Sequence, residues 1–342
     1  MKQSTSLKLL FISTLISTNA QAETEIGGYG EMHYNNLDNG TSKTKKIDFH
    51  RFVLYFGHEF NEKIRLVTEF ELEHALVKDT ADGSNGGEVE LEQAYVEIDV
   101  SDSAVVKAGV FLIPVGILNE THEPPTFYGV ERNPVEKNII PSTWWEGGVM
   151  YSGRMDNGLS YDLALHSGLS NITGDIRKGR QKIANAEAES LAYTARIKYT
   201  GIPGLELAST LNIQEDLSQG TATAAGDAEG ATLIEAHAIY ATGPFKVIAM
   251  YADWNIDFLG GSNIKDSQNG SVLEASYKVT DNLGVFTRQN NWSNSSGIDK
   301  AQTDIGLNYW PHENVVFKFD YQSQNNDAGN NDGFNLGFGY AF

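Results

Sequence analysis

Along most of this chain apolar and polar residues alternate one by one. Phe334, Leu336, Phe338, Tyr340 and Phe342 alternate with Asn335, Gly337, Gly339 and Ala341. The same period of two sets Val315, Phe317, Phe319 and Tyr321 against Val316, Lys318, Asp320 and Gln322. It sets Leu191, Tyr193, Ala195, Ile197 and Tyr199 against Ala192, Thr194, Arg196 and Lys198. In Ile64, Leu66, Thr68, Phe70 and Leu72 the other face is Arg65, Val67, Glu69, Glu71 and Glu73. Successive side chains of a strand point to opposite faces, so each stretch carries one apolar face and one that is small, polar or charged. A charged face is a wet face. In a water-soluble sandwich it lies outside, and in a membrane barrel it lines the lumen. Alternation alone does not separate the two.

The connections do. The pattern predicts sixteen strands, near 24–36, 47–60, 63–78, 89–100, 105–113, 147–155, 159–170, 189–200, 205–217, 231–242, 245–257, 271–280, 283–293, 301–310, 315–324 and 333–342. Short turns such as Asn61-Glu62, Asp156-Asn157-Gly158, Gly243-Pro244 and Asp281-Asn282 alternate with longer links, which run from about seven residues upward. Short turns on one side, long loops on the other and an even strand number are the arrangement of bacterial outer-membrane barrels. In lipid only a closed barrel satisfies every backbone group of a β protein. Sixteen strands leave an aqueous channel. The fold class expected is therefore all-β, a transmembrane antiparallel β-barrel of 16 strands.

The first 22 residues stand outside this pattern. Lys2 and Lys8 precede the short apolar run Leu9 to Ile16, and Ala20-Gln21-Ala22 is an A-x-A cleavage site, so 1–22 reads as a signal peptide and 23–342 as the barrel domain. Without Lys2 and Lys8 there remain 23 basic against 45 acidic side chains, a net charge of −22, which argues against a nucleic-acid partner. An exported chain with no cysteine has no disulfides and relies on hydrogen bonding and packing. The terminal Phe342 fits the aromatic end of an outer-membrane barrel's last strand. The expected location is the bacterial outer membrane, with lipid and lipopolysaccharide as surroundings.

The chain resembles the phosphate-selective porin O/P family of 16-stranded trimeric porins. The resemblance rests on Gly27-Gly28-Tyr29-Gly30, on Phe56-Gly57-His58-Glu59-Phe60-Asn61-Glu62-Lys63, on Gly109 to Gly116 leading into Glu123-Pro124-Pro125-Thr126-Phe127-Tyr128-Gly129-Val130-Glu131-Arg132, and on Asp320-Tyr321 through Phe342. It implies a homotrimer and a third external loop folded into the barrel. That loop is the longest connection, Pro114 to Glu146, with Pro114, Pro124, Pro125, Pro134 and Pro141. Its Phe127, Tyr128, Val130, Ile139, Ile140, Trp144 and Trp145 need burial. The alternative is a loop packed over the barrel mouth or against a neighbouring subunit.

A pore selects by the charges at its narrowest point. Within the loop Glu120, Glu123, Glu131, Arg132, Glu136 and Lys137 are the candidates to line it. On the wall, Arg51, Arg154, Arg196 and Lys198 fall on the inward register and with Arg132 form a candidate anion path. The loop carries more carboxylates than cations, Glu120, Glu123, Glu131, Glu136 and Glu146 against Arg132 and Lys137, which points to a wide, weakly selective pore with near-neutral or mildly cation-selective behaviour. Selectivity for anions or phosphate, the property in the family's name, is the alternative. The turn at Asn61-Glu62 sets Glu59 opposite Arg65 and Arg51 opposite Glu73, two expected ion pairs. His58 and His74 fall on the lipid-facing register. No cysteine nucleophile or H-E-x-x-H spacing occurs, so no cofactor, metal or catalytic residue is expected. The reading is a passive diffusion porin for small solutes or ions and not an enzyme; a barrel lipase or protease, or an adhesin, is the competing class.

Overall fold

Residues 23–77, 86–261, 266–326 and 330–342 are described by the computed structural model, and among them sixteen antiparallel strands close into one barrel. The proposed export signal, residues 1–22, lies outside the described residues. The strands are β1 (Thr24–Asp38), β2 (Lys43–Asn61), β3 (Ile64–Glu73), β4 (Val89–Ser101), β5 (Ala104–Leu112), β6 (Trp145–Arg154), β7 (Leu159–Ser167), β8 (Leu191–Tyr199), β9 (Leu205–Gln214), β10 (Ala228–Thr242), β11 (Phe245–Phe258), β12 (Ser267–Thr280), β13 (Leu283–Ser293), β14 (Asp299–His312), β15 (Val315–Asn326) and β16 (Asp332–Ala341). Each pairs with its sequence neighbours, and β1 pairs with β16 to close the ring. Closure leaves no edge strand, and Phe342 and Gly28 exchange backbone hydrogen bonds of 2.9 and 3.0 Å at the seam.

Burial runs opposite to that of a water-soluble protein. On the outward face Ile234, Leu273 and Ile305 are 58–60% exposed. On the adjacent inward positions Glu235, Glu274 and Asp304 are buried. The same inversion holds for Leu211 against Asn212 and for Leu307 against Asn308. An apolar outer band around a polar interior is stable only where the outer solvent is hydrocarbon. No helix of the described residues is long and apolar enough to cross a membrane.

The strand boundaries follow the sequence pattern closely, with two physical differences. β3 stops at Glu73, short of residue 78, because His74 and Ala75 turn away with φ of 52° and 55°. The alternation therefore ends before His74, whose ring meets Asp48 at 2.8 Å instead of facing lipid. His58 keeps its register, opposite Leu66, with its ring edge-on to Phe60. The first of the longer links is only residues 39–42, because β1 and β2 run on to Asp38 and from Lys43.

Arg51 lies opposite Glu73 and Glu59 opposite Arg65, as the turn predicts, with Phe60 taken up as a bulge. The ion pairs themselves go elsewhere. Arg51 reaches Glu31 on β1 at 2.9 Å and Glu71 at 3.4 Å, while Arg65 turns to Glu97 and Asp99 on β4 at 2.6 and 2.7 Å. Register fixes which residues share a face, but a long guanidinium chooses among all carboxylates within reach on both neighbouring strands.

Candidate functional site

Residues 113–144, between β5 and β6, meet the inner wall along most of its circumference. Asn119 ties the neck: its Nδ2 donates to Ile113 O at 2.8 Å and to Trp144 O at 2.9 Å, and its Oδ1 accepts from Trp144 N at 2.7 Å. Beyond the neck, wall side chains satisfy the segment's backbone one residue at a time. Trp310 donates to Pro125 O at 3.1 Å, Asn308 to Phe127 O at 2.9 Å, Arg288 to Tyr128 O at 3.2 Å and Lys318 to Gly129 O at 2.8 Å, while Asp320 accepts from Val130 N at 2.6 Å. An irregular backbone away from water needs a partner for each polar group. β13, β14 and β15 supply them from side chains that the alternation turned inward.

Packing completes the seat. Val135, Ile139, Ile140 and Trp144 are fully buried against Leu233, Ala252, Trp254 and Ile256 of β10 and β11. Trp254 Nε1 donates to Ile139 O at 2.9 Å. Where the segment comes closest, the wall has glycine: a Cβ on Gly339 would stand 2.3 Å from Pro124 Cβ. A short helix, α1 (Pro134–Asn138), is capped by Asn133, whose Oδ1 accepts from Glu136 N at 2.9 Å.

The loop carboxylates counted in the sequence are mostly engaged. Glu136 folds back to accept from Ile117 N and Leu118 N at 2.5 Å each, and burial pushes its carboxyl up despite those donors. Glu120 pairs with Arg196, which also holds Asp162 at 2.7 Å. Burial alone would raise Glu120, but Arg196, Lys198 and Lys107 outweigh it and hold the carboxyl below its ordinary range. Glu123 accepts from Tyr55 at 3.3 Å, and Glu146, already on β6, accepts from Trp144 and Ser167. Glu131 meets His33 at 3.1 Å and accepts from Asn35 at 3.0 Å; against the cost of burial, His33 holds it well below the carboxylate range.

A second connection, residues 168–190, folds over the first. Arg177 donates to Lys137 O and Ser142 O, and Arg180 donates to Thr143 O at 2.6 Å. Burial pulls both guanidinium groups below their ordinary values. Lys182 reaches Glu88 and Glu90. Between these two segments and the wall lies a cavity of about 210 Å³. Its Lys and Arg side chains are Arg132, Lys137, Arg177, Arg180 and Lys182 from the segments and Arg51 from the wall, and His33 of β1 and His50 of β2 add two imidazoles. Its acidic side chains are Glu31, Glu73, Glu88, Glu90 and Glu92 from β1, β3 and the β4 region, with Glu131 from the loop. Among the described residues six Lys and Arg side chains thus face six carboxylates, and five of each come from opposite sides.

Of the residues singled out in the sequence, Arg51, Glu131, Arg132 and Lys137 meet in this cavity. Glu120 and Arg196 pair beside Asp162, and Lys198 lies 3.6 Å from Glu206. Glu123 and Glu136 hold the segment in place. Arg154 stands exposed at the end of β6 and donates to Asp102 O at 2.9 Å, at the short-turn rim. Sequence reasoning missed Arg177, Arg180 and Lys182. Their signal was present: Arg177-Lys178-Gly179-Arg180-Gln181-Lys182 is a basic run in an acidic chain. It also missed two groups of imidazole and carboxylate assembled from distant positions, Asp48 with His50 and His74, and Glu69 with Glu92 and His122.

Comparison with known proteins places this architecture. The family model for phosphate-selective porin O and P matches residues 27–334. An uncharacterized protein of Aquifex aeolicus (strain VF5) is 32% identical over 343 residues, covering 86% of this chain and 74% of that protein. The outer membrane channel DcaP of Acinetobacter baumannii has a similar fold, with a TM-score of 0.65 at 14% identity over 96% of this chain and 99% of its own. The trimer form of OmpT, an outer membrane protein of Vibrio cholerae, gives 0.63 at 12% identity over 94% and 99%. A closed 16-strand barrel with an apolar belt and a charged interior, matched by this family over nearly its whole length, means that the chain belongs to the phosphate-selective porin O and P family and is an outer-membrane porin that passes solutes by diffusion.

Proposed function

We propose that residues 113–144 and 168–190 narrow the lumen, that the mixed-charge cavity beside β1–β4 is the constriction, and that the pore is weakly selective. The observation that carries this reading is the near balance across the cavity among the described residues, six Lys and Arg side chains against six carboxylates, five of each from opposed sides, with the imidazoles of His33 and His50 beside them. Opposed charges at a narrow point orient dipolar solutes and favour neither ion strongly. Acidic groups elsewhere are screened over about 8–10 Å, so the net charge of the chain does not set the selectivity. Arg51, Glu131, Arg132 and Lys137 act at this point with Arg177, Arg180 and Lys182. Arg196 with Glu120, and Lys198, line a paired part of the wall.

Anion preference is the second reading. It is favoured by Arg177 and Arg180, which hydrogen-bond carbonyls rather than carboxylates and keep uncompensated charge. One bilayer measurement decides between the two. Under a tenfold potassium chloride gradient the zero-current potential should stay well below the ~59 mV of an ideally selective pore. A large anion-selective potential, with conductance blocked by phosphate, overturns the weakly selective reading.

The surroundings follow from the same reading. Residues 1–22 direct export, the apolar belt contacts lipid with lipopolysaccharide in the outer leaflet, and the chain works as a homotrimer without catalysis. The trimer form of the Vibrio cholerae protein supports the oligomer. Unboiled protein in detergent should migrate as an oligomer and fall to monomer on boiling; identical migration before and after counts against the trimer.

A further inference from the structure

His122, Glu69 and Glu92 form a buried group that diffusion through the pore does not require. His122 comes from residues 113–144, Glu69 from β3 and Glu92 from β4, and all three are 1–2% exposed. Glu92 owes its direction to a bulge. Gln93 lies opposite Glu69 and Leu91 opposite Phe70, so Glu92 is the extra residue between them. A bulge re-aims a side chain, and here Glu92 and Gln93 both come to bear on Glu69. His122 Nε2 stands 3.4 Å from Glu69 Oε1 and 3.8 Å from Glu92 Oε2. The three donor atoms all lie within 4.8 Å of one another.

The partners of the outer atoms determine the chemistry of the inner ones. His122 Nδ1 lies 3.1 Å from Leu118 O. A carbonyl only accepts, so Nδ1 carries the proton, and in the neutral ring Nε2 presents a bare lone pair. The other oxygen of Glu69 accepts from Gln93 Nε2 at 2.6 Å. This is how metal-binding histidines and carboxylates are oriented by the groups behind them. Among the described residues the inward atoms, Glu69 Oε1, Glu92 Oε2 and His122 Nε2, have no hydrogen-bond partner. Three electron-rich acceptors thus converge away from water, an arrangement that costs several kcal/mol without a cation. Neither nearby guanidinium hydrogen-bonds these atoms: Arg51 is directed to Glu31 and Glu71, and Arg132 donates to Thr143.

We propose that Glu69, Glu92 and His122 bind one divalent first-row transition-metal ion, with zinc the best match. Two carboxylates and one neutral imidazole balance a double positive charge. Ligand atoms of a tetrahedral zinc site stand ~3.4 Å apart, given bonds of ~2.0–2.1 Å. The observed 3.4 and 3.8 Å from the imidazole need movements of only tenths of an ångström, and the two carboxylate oxygens lie within 4.8 Å of each other, within reach of a carboxylate rotation. Calcium and magnesium want six or more oxygens and are a poor fit to an imidazole. The ion would staple the loop to β3 and β4.

Purified full-length protein in detergent, stripped with a chelator, is titrated with Zn2+ by calorimetry and with Co2+ by visible absorption. The expected result is one ion per chain and the intense visible bands of a four-coordinate Co2+ site. His122→Ala and Glu92→Gln should each weaken binding at least tenfold, while Asp48→Asn, at the other imidazole–carboxylate group, leaves it unchanged. Absence of saturable binding means that His122 and the carboxylates share a proton instead, and overturns the proposal. Binding lost in Asp48→Asn, or untouched in both His122→Ala and Glu92→Gln, overturns it too. Oligomer migration without boiling checks that each variant folds. Should a variant fail to fold, zinc-soaked crystals of the unaltered protein decide: anomalous density between the three side chains supports the site, and its absence overturns it.

Discussion

Two sides of one lumen hold the inserted loop in opposite ways. Against β10 and β11 the contact is dry: Trp254, Ile256, Leu233 and Ala252 close on Val135, Ile139, Ile140 and Trp144. Against β1 to β4 the contact is charged: Arg51, Glu31, His33, Glu131, Glu90 and Lys182 stand in pairs and triplets around a cavity. Apolar burial is non-directional and sums over area, so the dry side fixes where the loop lies. Ion pairs in contact with water add little net stability, and in the function proposed above the charged side instead sets the potential an ion meets. The same loop is thus anchored by apolar packing on one side and bordered by charge on the other.

Breaking the dry side should have the largest effect. Trp254→Ala removes a fully buried indole and its hydrogen bond to Ile139 O, at about 3–5 kcal/mol for a large aromatic in a packed core. Because closure of the barrel does not depend on that contact, the oligomer should still withstand unboiled electrophoresis. The loop should come free, read as higher single-channel conductance and protease cleavage within 113–144. Unchanged conductance would mean that the apolar seat does not place the loop.

A smaller effect is expected where wall and loop meet at glycine. Gly339→Val puts a Cβ where Pro124 already stands, 2.3 Å away, and a rigid ring cannot swing aside. Overpacking of this kind costs about 1–3 kcal/mol. The midpoint of urea unfolding should fall, with conductance altered less than in Trp254→Ala.

The charged side should barely move stability. Lys182→Ala removes a cation that is partly exposed and paired with Glu88 and Glu90, for ~0.2–1 kcal/mol. Its readout is selectivity: the zero-current potential should shift toward cations, and the shift should fade as salt shortens the screening length. A large loss of stability with no change in potential would reverse the roles assigned to the two sides.

Strand positions, the inward or outward sense of each residue and the first hairpin's register were legible in the sequence, because period-two alternation is a local property that lipid outside and water inside both enforce. The family was legible too. The loop's burial was foreshadowed by its aromatic content, which has no place in water. The ion pairs were not: Arg51 and Arg65 chose partners across the neighbouring strand, a choice that depends on reach and on bulges.

What the chain determined by itself is therefore the barrel, its sixteen strands and the sign of each face. What only the tertiary structure decided is which charges meet. Loop carboxylates such as Glu120 and Glu136 vanish into Arg196 and backbone N–H groups, Arg177 and Arg180 arrive from a different loop, and a bulge turns Glu92 toward His122 thirty residues away in sequence. Alternation is written between neighbours along the chain, but electrostatic partners are chosen by distance in space, and closing the barrel sets those distances.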